Sequence, residues 1–373
     1  MSSLVFWQNI PSIHQAPLIR EVAKLWDGDV WVVAESDVSS GRLRQGWVRP
    51  VFSPAKLIVA PSRNERLCLL EQTQNKSDVH VFSGFNAYPE TYWTMKQARK
   101  TAVLLGVFAE PGRHNDGLRS WLRRLHYILL AAQWRRRLNF LLATGDLGVR
   151  WYSMSLFPKN KIFSFGYFVD VQSVVESYSA INNAFTILFV GQLIFRKGVD
   201  LLMRALGGLR EFTWNLRIVG DGPLRHELGK LACELGINER IVWEGGLAND
   251  AVKQVMAASD LLVLPSRYDG WGAVVNEALM AGTPVVVSDA CGASELIQNP
   301  RLGGVFQAQS VTSLQEALRT QMVKGGIDGL DREYIQTWSK GIHPQTAAQY
   351  LHEIILKTET KNIRILAPWR KMY

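Results

Sequence analysis

Three glycine-rich segments in the second half of the chain carry residue types that can bind an anion. The first is Val190-Gly-Gln-Leu-Ile-Phe-Arg-Lys-Gly198. A strand-like run ends in glycine, and the basic pair Arg196-Lys197 precedes a second glycine that opens a helix. Glycine lets backbone amides approach an anion, and a helix amino terminus carries partial positive charge. Lys197 adds a mobile point charge and Arg196 a planar fork, both suited to a diphosphate. Taken alone, the segment reads equally as a turn with two solvated bases. The second segment, Val219-Gly-Asp-Gly-Pro223, is another strand end, with Pro223 in the first turn of a following helix; alone it is an ordinary turn. The third runs from Leu264 to Pro284 and places Asp269 directly before Gly270-Trp271-Gly272, with Glu277 eight residues further on. A loop carboxylate and an early helical one can accept hydrogen bonds from sugar or ribose hydroxyls while the glycine amides hold phosphate oxygens. The plainer reading makes Asp269 a helix cap and Glu277 the partner of a surface base.

The elements that would position these loops alternate. Strands are expected at Thr186–Gly191, Leu216–Gly220, Ile241–Trp243, Leu261–Pro265 and Pro284–Ser288. Helices are expected at Val199–Leu209, Leu224–Leu235, Ala251–Ala258 and Ala273–Ala281. Strand–helix alternation at this interval means βαβ units and a parallel sheet, with strands apolar on both faces. The first half repeats the theme less clearly. Candidate strands are Leu4–Trp7, Val30–Val33, Val79–Phe82 and Thr101–Phe108, with helices at Ala16–Trp26 and Gly117–Leu142 and a connection at Phe163–Val169.

At 373 residues the chain is too long for one compact core and favours two domains. Its composition excludes disordered, collagen-like and coiled-coil classes. Cys68, Cys233 and Cys291 lie far apart and offer neither a disulfide framework nor zinc spacing, which favours a reducing compartment. The first residues show no basic leader before an apolar stretch, so no signal peptide is expected, and no uncharged apolar run reaches 18 residues. The expected location is therefore the cytoplasm. The net charge of +9 is unevenly placed: residues 1–170 hold 22 Lys+Arg against 13 Asp+Glu, while residues 171–373 hold 20 of each. A basic half favours an anionic partner, or is a solubility surplus.

Together the three loops resemble the retaining glycosyltransferases of family 4, which have the GT-B fold. The pattern appears as Gly191-Gln192…Lys197-Gly198, Gly220-Asp-Gly-Pro223, and Asp269…Glu277 followed by Ala-Leu-Met-Ala-Gly-Thr-Pro284, in order from about Ile187 to Ile297. The resemblance implies an α/β GT-B architecture of two Rossmann-like domains whose parallel sheets face a central cleft. Residues 1–172 would bind the acceptor, residues 173–349 a nucleotide-sugar donor, and the C-terminal helix within 350–373 would pack back on the first domain. Lys197 would contact the donor diphosphate, with Arg196 and the Gly191 loop assisting. Glu277 would bind the ribose, Asp269 with the Gly270, Trp271 and Gly272 backbone would hold the sugar, and main-chain groups at Trp243 to Gly245 would lie near the base. No cofactor or metal is implied; the donor would be a UDP- or GDP-sugar. Two departures stand out: Gln192 replaces the arginine usual beside the first glycine, and Asp269 replaces a glutamate, shortening its reach by one methylene.

In the first half the resemblance thins. Its loops Ile10–Gln15 and Ala109–His114 follow candidate strands, and the family often places a cleft histidine near the latter. His114 would touch donor or acceptor, and Glu110 would receive an acceptor hydroxyl; each also reads as a plain loop residue. His80, inside a strand, reads as structural. Leu118, Trp121, Leu122, Leu125, Ile128 and Leu129 recur at helical spacing, and seven bases stand against one acid between Arg113 and Arg137. Residues 118–142 thus suit an interfacial helix on anionic lipid, or a core-packed helix with a solvated basic face. No nucleic-acid module is recognisable. The expected activity is metal-independent transfer of a hexose, with retention, to a glycan or polyprenyl-diphosphate-linked acceptor, peripheral to the inner face of the membrane. The setting implied by family habit is cell-surface polysaccharide synthesis. The alternatives are a catalytically silent nucleotide-sugar-binding protein of the same fold and an inverting GT-B enzyme.

Overall fold

The computed structural model describes residues 2–39, 49–112, 118–170, 184–358 and 365–371. The chain divides into two compact units: Met1–Asp170 with Ile342–Lys371 and Tyr373, and Val171–Gly341 with Met372.

In the first unit, apolar runs form β1 (Leu4–Gln8), β2 (Val30–Ala34), β3 (Lys56–Val59), β4 (Val79–Ser83), β5 (Leu104–Ala109), β6 (Phe140–Thr144) and β7 (Ile162–Phe165). They pair in parallel in the order β3-β2-β1-β4-β5-β6-β7. Every residue of β1 and β6 is buried, as strands covered by helices on both faces require. The helix Pro344–Lys357 lies against the helix Ala16–Leu25 in this unit, with Trp26 edge-on to His352 at 5.9 Å. Tyr350 on that C-terminal helix stacks on Phe165 and donates its hydroxyl to the Ser164 carbonyl at 3.2 Å. His80 is enclosed: its Nδ1 accepts from Trp7 Nε1 at 3.0 Å, and its Nε2 donates to the Thr73 carbonyl at 2.8 Å. Burial pushes its pKa down to about 4, so it is a neutral packing residue.

The second unit contains β8 (Phe185–Val190), β9 (Trp214–Val219), β10 (Ile241–Gly245), β11 (Leu261–Leu264), β12 (Val285–Ser288) and β13 (Gly303–Phe306). These are parallel in the order β10-β9-β8-β11-β12-β13. In both sheets the chain starts in the middle, winds one way, then returns to wind the other. Each sheet therefore has a switch point, at β1/β4 and β8/β11, where two adjacent strands send their loops apart.

Three expectations for the first half are corrected. The helix expected over Gly117–Leu142 ends at Trp134, and Phe140–Thr144 is the fully buried β6. The apolar residues after Leu138 belong to the sheet; their continuity with the helix hid the break at Arg135–Arg137. The segment expected to be a connection, Phe163–Val169, begins inside β7, an edge strand too short to signal itself. The strand drawn at Thr101–Phe108 starts only at Leu104. The stripe Trp121, Leu122, Leu125 and Leu129 is 40% to 62% exposed, while Leu130, Ala131 and Trp134 are buried. The helix packs on the core through Leu130, Ala131 and Trp134, and Ile128 is half-buried, so the core-packed reading holds for its last turns and fails for the four exposed residues of the stripe. No helix among the described residues is long and apolar enough to cross a membrane.

Candidate active site

Because β8 and β11 are neighbours at the switch point of the second sheet, the loops that follow them rise from the same carboxyl edge. The loop after β8 stays close to its neighbours through glycine. At Gly220 (φ +127°), a Cβ would come within 2.1 Å of the Gly191 carbonyl oxygen. Leu193 donates to the Asp221 carbonyl and accepts from the Leu224 amide. The Gly-Asp-Gly-Pro turn thus braces the Gly191–Gly198 loop from the side, a packing role. The loop ends in a single 3-10 turn, Phe195–Lys197, and Gly198 (φ +69°) caps it and opens the helix Val199–Gly207. Only glycine fits there, since a Cβ would lie 2.1 Å from the Pro265 carbonyl oxygen.

That close approach joins the two loops. Lys197 Nζ donates to Asp269 Oδ2 at 2.6 Å, and Arg196 Nη1 lies 3.2 Å from the same oxygen while donating to the Tyr268 carbonyl at 3.1 Å. The Lys197 and Asp269 side chains are 14% and 13% exposed, and Arg196 is 36% exposed. A Cβ on Gly191 would touch Lys197 Cε at 3.7 Å, so the lysine stem lies over that glycine. Two cations converging on one carboxylate oxygen, at a strand edge, form a pocket of positive charge that an internal anion now fills.

The Asp269 loop is held from below. Its amide donates to the Ala290 carbonyl, its carbonyl accepts from the Gly292 amide, and Ala293 donates to the Trp271 carbonyl at 2.8 Å. Trp271 is buried, with Nε1 donating to Asn276 Oδ1 at 2.8 Å. Its indole is committed to the core, and its neighbours Gly270 and Gly272 are buried with it. Cys291 behind the loop is also buried, and burial, reinforced by the Asp269 charge, pushes its thiol well above the ordinary range. Glu277 stands in the first turn of the helix Val274–Met280. Desolvation lifts its carboxyl to about 7, opposed in part by the positive charge of Lys253.

Of the sequence-based candidates, the structure brings Gly191, Arg196, Lys197 and Asp269 together. Glu277 lies on the helix that the Asp269 loop leads into. Glu110 belongs to the first unit: its Oε1 accepts the Tyr167 hydroxyl at 2.8 Å and its carbonyl the Tyr152 hydroxyl at 2.7 Å. His114 and Arg113 lie outside the described residues. Sequence reasoning missed Tyr167, whose ring also meets His14 at 6.0 Å and Phe108 at 5.2 Å. It also missed Arg267, two residues before Asp269, whose partner lies 67 residues away on the chain. Among the described residues, no group of three or more His, Cys, Asp or Glu side chains is placed to hold a metal ion.

Residues 174–328 match the family model described as Glycosyl transferases group 1. A GDP-mannose-dependent alpha-(1-6)-phosphatidylinositol monomannoside mannosyltransferase from Mycobacterium tuberculosis is 32% identical over 147 residues, 37% of this chain and 38% of that protein. The chain thus matches less than two fifths of the length of such curated relatives. Among solved structures, the apo form of the lipopolysaccharide outer core galactosyltransferase WaaB superposes with a TM-score of 0.71 at 16% identity, covering 95% of this chain and 99% of that one. Anabaena HepE in complex with UDP gives a TM-score of 0.70 at 18% identity, covering 96% and 100%. Residues 174–328 are accordingly a glycosyl transferases group 1 domain, in a chain with the GT-B fold of two Rossmann-like parallel-sheet units.

Proposed function

We propose that the protein is a retaining hexosyltransferase that takes its sugar from a nucleoside diphosphate sugar and passes it to a glycan or lipid-linked acceptor. The observation that carries this reading is the convergence of Lys197 and Arg196 on one oxygen of Asp269. A diphosphate offers that pair what Asp269 offers, with more charge and more acceptor oxygens. The glycosyl transferases group 1 match over the same loops, the nucleotide-sugar donor named for the mycobacterial relative and the UDP bound by the Anabaena neighbour support it.

In this reading Lys197 and Arg196 turn from Asp269 to the diphosphate, and the amino terminus of the helix Val199–Gly207 adds partial positive charge. As the bond from the anomeric carbon to the phosphate oxygen breaks, these groups stabilise the charge growing on that oxygen. They fill the place a metal ion would otherwise take. Asp269, released from its cations, accepts hydrogen bonds from the hexose, with the Gly270–Gly272 backbone beside it. Glu277 accepts from the ribose hydroxyls, and the backbone near Trp243 to Gly245 meets the base. The acceptor oxygen forms the new bond on the face the diphosphate leaves, and its proton passes to the departing phosphate oxygen. Retention then needs no strong protein base. Glu110 and Tyr167, with His114, are assigned to the acceptor.

The solvent-facing stripe Trp121, Leu122, Leu125 and Leu129, with Arg123, Arg124, Arg135 and Arg136 on the same segment, suits the anionic inner face of a membrane. In this reading the enzyme works at the cytoplasmic surface of the membrane, on lipid-linked acceptors for cell-surface polysaccharides.

Thermal unfolding with UDP, GDP, ADP, dTDP and CDP tests the donor reading. A nucleotide at about 100 times its dissociation constant adds roughly 2.7 kcal/mol of stability. A rise with one nucleotide identifies the base. No rise with any removes the donor assignment.

A further inference from the structure

The pair between Lys197 and Asp269 cannot be what holds the two loops in register, because a diphosphate must break it. A second set of contacts joins the same loops without using either residue. Arg267 donates from Nη1 to Asp200 Oδ1 at 2.8 Å and from Nη2 to Asp200 Oδ2 at 2.6 Å, a two-pronged pair anchored on the helix after Gly198. Its Nη1 also donates to the Phe195 carbonyl at 2.7 Å, and its backbone amide donates to the Arg196 carbonyl at 2.8 Å. The guanidinium lies 3.9 Å from the centre of the Phe195 ring. Arg267 is 13% exposed and Asp200 28%. Burial alone would raise the Asp200 carboxyl, but the hydrogen bonds and charge of Arg267 outweigh it and hold the carboxyl below its ordinary value.

We infer that Arg267, fixed by Asp200, is a positioning residue: it holds the Phe195–Lys197 turn at the distance from Asp269 at which Arg196 and Lys197 bind a diphosphate. The inference deepens the donor reading above and rests on it. The reasoning is geometric. Phe195, Arg196 and Lys197 form one 3-10 turn, and Arg267 takes the carbonyls of the first two. With both carbonyls pinned, the direction in which the Arg196 and Lys197 side chains leave the turn is set before any ligand arrives. Arg267 itself is spent on protein acceptors and an aromatic face, so it does not bind the ligand. A lysine in its place keeps the charge but loses the fork that reaches Asp200 twice and Phe195 once. The pair with Asp200 persists through the cycle, whereas the pair of Lys197 with Asp269 exchanges.

The test is calorimetric titration of the full chain with the nucleoside diphosphate that stabilises it and with the corresponding nucleoside. In Arg267→Ala, and more mildly in Asp200→Asn, binding of the diphosphate should weaken by about tenfold or more while nucleoside binding changes less than about twofold. Arg267→Lys should not restore the diphosphate affinity. A merely structural role would lower the urea midpoint and leave the ratio of the two affinities in the folded protein where it was. Unchanged diphosphate affinity in Arg267→Ala, or equal loss for both ligands, overturns the inference while the donor reading stands. If Arg267→Ala does not fold, Asp200→Asn decides by the same ratio. A wild-type protein that binds no nucleoside diphosphate overturns the donor reading and this inference with it.

Discussion

Asp269 stands where the donor diphosphate is proposed to bind, so replacing it by asparagine should tighten binding of the free nucleotide. Lys197 Nζ and Arg196 Nη1 stand 2.6 and 3.2 Å from Asp269 Oδ2. A nucleoside diphosphate must displace this carboxylate before it can use either cation. A hydrogen bond between charged groups in a site as enclosed as that of Lys197 contributes about 1.5–3 kcal/mol. The Arg196 pair is more open to water and adds about 0.2–1 kcal/mol. The sum, about 2–4 kcal/mol, is what the ligand must overcome. Asparagine keeps the shape and one weak acceptor, so roughly half of that cost should vanish, giving about tenfold tighter binding. Transfer should fall in the same variant, because the sugar loses its charged acceptor. Lys197→Ala should do the opposite to binding, weakening the diphosphate by about tenfold or more and the nucleoside hardly at all. Titration calorimetry at low and moderate salt is the assay, since the gain in Asp269→Asn should shrink as salt screens it. Weaker or unchanged binding in Asp269→Asn would mean that the carboxylate does not compete with the diphosphate, and the proposed exchange of partners would be wrong.

Two other outcomes follow from side chains elsewhere. Glu277 has a carboxyl raised to about 7 in the folded protein, so between about pH 4.5 and 7 the folded state holds a proton that the unfolded state has lost. Stability should therefore fall as pH rises through that window, by at most about 3 kcal/mol; urea midpoints of Glu277→Gln should lack this slope, and equal slopes in both proteins would refute the shift. The stripe on the helix Leu118–Trp134 should bring the chain down with vesicles rich in anionic phospholipid but not with neutral ones, and Leu122→Glu with Leu129→Glu should abolish this; sedimentation with neither vesicle by the wild type would refute the membrane assignment.

What the sequence reveals depends on whether the controlling interaction is local. Strands β8, β11 and β12 are apolar runs ended by glycine, proline or serine, β9 alternates apolar residues with Asn215 and Arg217 before its glycine, and their type follows from residues within them. The glycines and bases of Gly191–Gly198 carry their chemistry in one short stretch, which is why Lys197 is legible. By contrast β13 opens with two glycines, and β6 is masked by the helical residues that lead into it. The exposure of the Trp121–Leu129 stripe cannot be read from spacing, because periodicity identifies an apolar face without saying what covers it. Nor does the sequence show that the Trp271 indole is claimed by Asn276 and the core.

The two departures from the family pattern bear on one balance of charge. With glutamine at 192, the loop presents the cations Arg196 and Lys197 and no third beside the first glycine. Both meet a single carboxylate, and the 3.2 Å approach of Arg196 to Asp269 puts its guanidinium where it can share the diphosphate with Lys197. In the proposed reading Arg196 supplies, from four residues further along the loop, the charge that the pattern places at 192. It can do so only if its turn is held rigid, since a partly exposed arginine on a free loop would lose that geometry to side-chain entropy. The guanidinium of Arg267 on Asp200 and the Phe195 carbonyl, with its backbone amide on the Arg196 carbonyl, provides that rigidity. A Gln192→Arg replacement would then supply a third cation and make the Arg267 contacts less critical. In that background Arg267→Ala should cost less diphosphate affinity than it does in the wild type, and an undiminished loss would show that Arg196 and position 192 do not share the task.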